Sequence, residues 1–168
     1  MAEPKGENVA VIDIGVSPLE VVIRHQQAAP VDVYAIARDL GIPVRPDSAL
    51  GDAAGKICRE DTPSGFAIYV NHRDNKRRQR FTVAHELAHY LLHADMIGDG
   101  IVDDAMYRSK MSGYYERQAN RLAADILLPK NAVRAAYRTT KAIAPLANMF
   151  DVSPDAMSIR LKELGLGA

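Results

Sequence analysis

The segment His85-Glu86-Leu87-Ala88-His89 constrains the fold of this chain more than any other. Residues four apart in an α-helix leave the same face one turn above each other, so both imidazoles converge if this stretch is helical. Phe81-Thr82-Val83-Ala84 before it and Tyr90-Leu91-Leu92 after it continue the amphipathic pattern and predict a helix over roughly residues 78–93. Two histidines on one helix need further ligands from elsewhere to hold a metal ion. Glu116, in Glu116-Arg117-Gln118-Ala119-Asn120, lies on a second predicted helix, from about Tyr114 to Leu128 and stopped by Pro129. The chain must therefore set two helices side by side. Three protein ligands leave a fourth position open, which is the arrangement of a catalytic rather than a structural zinc site. Glu86 projects at a different angle and can reach a water beside the metal instead of the metal itself. The pattern points to hydrolysis, with His85, His89 and Glu116 as zinc ligands and Glu86 as the catalytic base. Mn²⁺ or Fe²⁺ also accept two imidazoles and a carboxylate.

Other functions are bounded by composition. A chain of 168 residues is long enough to bury a sizeable core. Its 21 basic residues balance its 21 acidic ones, so the chain as a whole has no general attraction to nucleic acid or to acidic membranes. Cys58 is the sole cysteine, which rules out an internal disulfide and suits a reducing compartment. Met1 to Asn8 carry no apolar signal core, and no apolar run approaches membrane-spanning length. The expected location is cytoplasmic.

The expected class is α+β, mainly helical with a small β-sheet beside the His85–His89 helix. Residues 1–17 are expected to be a variable, mobile N-terminus, with a short strand from Val9 to Ile14. Residues 18–129 form the metal-binding domain. Ser17-Pro18-Leu19-Glu20 predicts a helix start with a capping box, the helix running to about Gln27, and Asp32 caps a second helix over Val33–Leu40. Val44, Lys56–Cys58 and Phe66–Asn71 read as short strands, with Pro63-Ser64-Gly65 as a turn. An Asp- and Gly-rich loop is expected from Asp95 to Asp104. Residues 130–168 read as a separate helical segment: Lys130–Tyr137, then Pro145–Phe150 and Pro154–Leu164 in the rhythm of a helix-turn-helix. Its second helix offers Asp155, Ser158, Arg160, Lys162 and Glu163, a mixed set that favours structural or protein-binding use over DNA reading.

Several residues flank the ligands. Asn120, four after Glu116, either orients a ligand histidine or is a helix-surface residue. His93 continues the four-residue spacing, but its face has rotated about 80° from that of His85, which favours a place beside the ligands over ligation. Arg77 and Arg78, in the basic run before the site, are either a solvated helix entrance or a rim for an acidic substrate segment. Tyr90, Tyr114 and Tyr115 read as packing residues, His25 and His72 as surface residues, and Cys58 as a small buried one.

The runs Arg80 to His93 and Glu116 to Pro129 resemble the ImmA/IrrE family of metallo-endopeptidases, as do Val31-Asp32-Val33, Gly41-Ile42-Pro43-Val44 and the segment from Val152 to Leu166. The resemblance covers roughly residues 18–166. It implies a zincin-like fold with a helix-turn-helix-like end, zinc held by His85, His89 and Glu116, and Glu86 as the catalytic glutamate. It also implies a protein substrate, a small repressor of the Xre type encoded nearby, whose cleavage relieves repression in mobile elements or stress regulons. Two other readings compete. One is a toxin or anti-repressor that binds such a regulator without hydrolysis, and the other a DNA-binding regulator using the C-terminal helices.

Overall fold

A computed structural model describes residues 15–98 and 112–166. The strand expected over Val9–Ile14 and residues 99–104 of the expected acidic loop lie outside the described residues. At the other end of that loop, Ala94–Met96 form one turn of 3₁₀ helix, which the sequence pattern did not suggest.

Local signals account for most of the helix starts. In α1 (Pro18–His25) the Ser17 hydroxyl accepts from the Glu20 backbone N–H, while the Glu20 carboxylate accepts from the Ser17 N–H. Asp32 caps α2 (Val33–Asp39) by accepting from the N–H groups of Tyr34 and Ala35. These side chains satisfy backbone donors that a helix start leaves open. The sheet follows: β1 (Val44–Asp47), β2 (Gly55–Arg59) and β3 (Phe66–Asn71), in the order β1-β3-β2. Central β3 runs parallel to β1 and antiparallel to β2, with Ile68 opposite both Val44 and Ile57. Flanked on both sides, β3 is buried along nearly its whole length.

The long helix α3 (Lys76–His93) begins two residues before the expected start because Asn75 accepts from the Arg78 N–H and caps it there. It packs against β2, β3, α2 and above all α4 (Ser112–Leu127). Ala84 and Ala88 on α3, with Ala119 and Ala123 on α4, are fully buried, and residues this small let two helices approach closely. β2 also lies hard against α3. A side chain at Gly55 would collide with the Thr82 methyl group and with the Tyr69 carbonyl oxygen.

Three further helices complete the described chain: α5 (Lys130–Thr139), α6 (Ile143–Phe150) and α7 (Pro154–Glu163). Asp151 takes a left-handed conformation (φ 51°) at the end of α6, and Ser153 caps α7. Leu146, Phe150, Met157 and Leu161 belong to the same hydrophobic cluster as Ile36, Ile68, Leu87 and Ile126. Charged groups reinforce that union. Buried Arg160 donates from Nε to the Leu128 carbonyl at 3.0 Å, and its guanidinium pairs with Asp125 and Glu163. From α3, Arg77 and Arg80 reach Asp151 at 3.1 and 3.2 Å.

Candidate metal centre

The helical spacing of His85 and His89 and the close α3–α4 contact bring three side chains together. The Nε2 atoms of His85 and His89 lie 3.1 Å apart. Glu116 places one carboxylate oxygen 3.3 Å from His85 Nε2 and the other 3.1 Å from His89 Nε2. A tetrahedral ion with bonds of about 2.0–2.1 Å sets its ligand atoms about 3.3 Å apart. The donor set therefore fits a small divalent cation in spacing as well as in chemistry. Among the described residues, these three are the group of candidate ligands that meets such a criterion.

The rings are oriented from behind. His85 Nδ1 lies 3.1 Å from Asn120 Oδ1, so Nδ1 carries a hydrogen and Nε2 is turned toward Glu116, where it donates to the carboxylate or would lend its lone pair to a cation. His89 Nδ1 lies 3.1 Å from His93 Nδ1, and His93 Nε2 lies 3.0 Å from Gln118 Oε1. Gln118 in turn donates from Nε2 to the Tyr114 hydroxyl at 3.0 Å. Since Gln118 Oε1 can only accept, His93 carries its proton on Nε2 and offers the Nδ1 lone pair to His89 Nδ1–H. His89 thereby turns Nε2 toward Glu116, where it donates to the carboxylate or would lend its lone pair to a cation. Gln118 and Tyr114 had no role of this kind in the sequence reading. The signal that existed was their four-residue spacing, but the link to His93 crosses between helices.

The site is strongly polar in charge as well as shape. Hydrogen bonds from His85 and His89 outweigh partial burial and hold the Glu116 carboxyl down at about 2. Burial works against a proton on His85, but the hydrogen bond to Glu116 and the charges of Glu86 and Glu116 prevail and raise its pKa. Glu86 is 5% exposed and faces a groove of about 2160 Å³ shared with His85, Asn120 and Phe81. Arg77 and Arg78 also line this groove. Arg77 donates to Asp151 and Asn148, and Arg78 to Asp74.

The remaining residues fall where their chemistry suggests. Tyr90 packs edge-on against Phe66 at 5.3 Å between centroids, and Tyr115 against His93 at 5.0 Å. Cys58 is buried. His25 pairs with Asp39 at 2.8 Å, away from the ligand cluster. Arg160, in the helix considered for DNA reading, is 5% exposed and committed to Asp125, Glu163 and the Leu128 carbonyl.

An α+β chain that brings two histidines of one helix to a glutamate on the next holds a candidate site for a divalent metal ion. Residues 37–162 match the family described as Peptidase_M78, IrrE N-terminal-like domain, and the chain belongs to this ImmA/IrrE family. It is similar to the radiation response metalloprotease IrrE of Deinococcus radiodurans, 31% identical over 107 residues, 60% of this chain and 32% of that protein. It is also similar to the metallopeptidase ImmA of Bacillus subtilis, 25% identical over 119 residues, 69% of this chain and 67% of that one. The chain thus spans about a third of the length of the radiation response relative. A solved structure of a Mycobacterium tuberculosis transcriptional regulator shares the fold, with a TM-score of 0.58 at 19% identity over 86% of this chain and 46% of that one. No helix among the described residues is long and apolar enough to cross a membrane.

Proposed function

We propose that this chain is a zinc-dependent endopeptidase that hydrolyses one peptide bond in a partner protein, a helix-turn-helix repressor of the Xre type. In this reading residues 18–129 are a zincin-like catalytic domain, and residues 130–168 are a helix-turn-helix-like segment that lines part of the groove. The observation that carries it is the convergence of His85, His89 and Glu116, with His85 and Glu86 lining an open groove.

His85, His89 and Glu116 would hold a divalent cation, which when bound would supply Lewis acidity at the scissile carbonyl and to water. The chain supplies the proton chemistry. The Glu86 carboxylate takes a proton from the attacking water as its oxygen bonds to the carbonyl carbon. It then delivers that proton to the peptide nitrogen as the C–N bond breaks, so an acid and an amine leave. Asn120 and the His93–Gln118 pair keep both ligand rings in the tautomer this requires. A binding protein without hydrolysis has no need of a general base at position 86.

The test mixes zinc-loaded protein with the helix-turn-helix protein encoded beside it and reads intact masses, with Glu86→Gln in parallel. A discrete cut, absent in the variant while zinc content is retained, is the expected result. Stable binding with no cut by either protein would replace hydrolysis with the toxin or anti-repressor reading.

A further inference from the structure

The groove beside the metal-ligand cluster carries an uneven charge that the balanced composition conceals. Its lining includes the apolar Phe81, Val152 and the 59%-exposed Ile159. Several of its charged side chains are already neutralised within the protein. Arg77 is bound to Asp151, Arg78 to Asp74, and Arg160 to Asp125 and Glu163. Arg117 and Arg121 differ from these. Both line the groove, both are exposed, and neither pairs with a carboxylate among the described residues. They stand one turn apart on α4, Arg117 next to the ligand Glu116 and Arg121 next to Asn120, which holds His85. Each guanidinium is a planar fork of donors suited to a carboxylate, and the one-turn spacing sets the two on the same side of the helix.

We propose that Arg117 and Arg121 form a specificity subsite for an Asp or Glu side chain of a peptide bound in the groove, close to the bond presented to Glu86. Lys56, Lys76 and Lys130 also line the groove, so its lining is basic overall, but Phe81, Val152 and Ile159 in the same lining suit the side chains of a peptide rather than a nucleic-acid backbone. A continuous phosphate backbone would also meet the exposed Asp155 carboxylate, whereas a peptide need place negative charge at one point only. The subsite rests on the endopeptidase reading for cleavage but not for binding, so the two can fail separately.

The experiment uses zinc-loaded Glu86→Gln protein and fluorescein-labelled short peptides with a Leu-rich centre flanked by Glu, by Gln or by Lys. Fluorescence anisotropy is expected to show the Glu peptide binding about three- to fivefold tighter than the Gln peptide, as exposed ion pairs allow. The advantage should shrink with added salt. Arg117→Gln with Arg121→Gln removes the preference, Arg117→Lys with Arg121→Lys keeps most of it, and Arg38→Gln, at an exposed position of α2, leaves it intact. Zinc content and thermal unfolding verify that each variant is folded. Equal affinity for Glu and Gln peptides, no measurable binding, or a preference that survives the double Gln variant would each overturn the subsite. Tighter, arginine-dependent binding of a short DNA duplex would overturn it in favour of nucleic acid. A Glu preference in binding, together with no cleavage of any peptide or of the adjacent repressor by protein with Glu86 intact, would support the subsite while overturning the endopeptidase reading.

Discussion

His93 Nε2 and Gln118 Oε1, 3.0 Å apart, decide how His89 presents itself to a cation. Removing the acceptor leaves His93 free to adopt the other tautomer, and His89 then loses the lone pair that receives its Nδ1–H. Gln118→Leu should therefore weaken zinc binding about 10- to 100-fold in competition with a chromophoric chelator. Gln118→Glu retains the acceptor and should stay close to wild type. Unchanged affinity in Gln118→Leu would show that the chain of hydrogen bonds orients nothing. Glu86→Gln tests a different property. It should reduce cleavage by about 10²- to 10⁴-fold at unchanged zinc content, because the amide cannot take up a proton.

Among the elements, α1 and β2 depend on local features that can be tested without the active site. The capping box on α1 closes two backbone donors, so Ser17→Ala should cost about 1 kcal/mol in denaturant unfolding. The backbone N–H of Ser17 and then its hydroxyl hold the Glu20 carboxyl below the ordinary range. A lowered carboxylate binds fewer protons in the folded state than in the unfolded one. Its contribution is therefore complete above the unfolded value of 4.5 and is lost as pH falls through the lowered folded value. Amide exchange in α1 should accelerate over that acid range, and Glu20→Gln should remove the dependence. At β2 the constraint is steric. Gly55→Ala forces a methyl group toward the Tyr69 carbonyl oxygen and the Thr82 side chain, and should destabilise by about 1–3 kcal/mol. A change below a few tenths of a kcal/mol would show that β2 can shift away from α3.

Across the whole molecule, Arg160 joins α7 to the end of α4 and lines the groove. Arg160→Met keeps much of the packing but withdraws the donor from the Leu128 carbonyl, so a loss of about 1–3 kcal/mol is expected. Because Asp125 remains half-exposed, its unpaired carboxylate adds little to that cost. If the C-terminal helices shape the groove, the variant should raise KM for a protein substrate more than it lowers kcat. A metal bound only by the folded chain stabilises it by mass action, about 4 kcal/mol at a thousandfold excess over Kd. Chelation should lower Tm accordingly, and the shift should vanish in His89→Ala.

The sequence by itself determined the paired histidines with Glu86, the helix starts at Ser17, Asp32 and Ser153, and the three short strands. Each of these is encoded within a few residues, by periodicity, a cap or a turn. The ImmA/IrrE family was legible for the same reason, since its recognisable residues lie in two short runs. Only the tertiary structure decided that Glu116 meets both rings at once, because that depends on how closely α3 and α4 pack over buried alanines. It likewise brought Gln118 to His93 and left Arg77 and Arg78 paired while Arg117 and Arg121 face the groove unpaired by any described carboxylate. The parallel pairing of β1 with β3 and the burial of Arg160 belong to the same class. Contacts between residues distant along the chain have no periodic trace in it; they follow from packing, which settles the path of every element together.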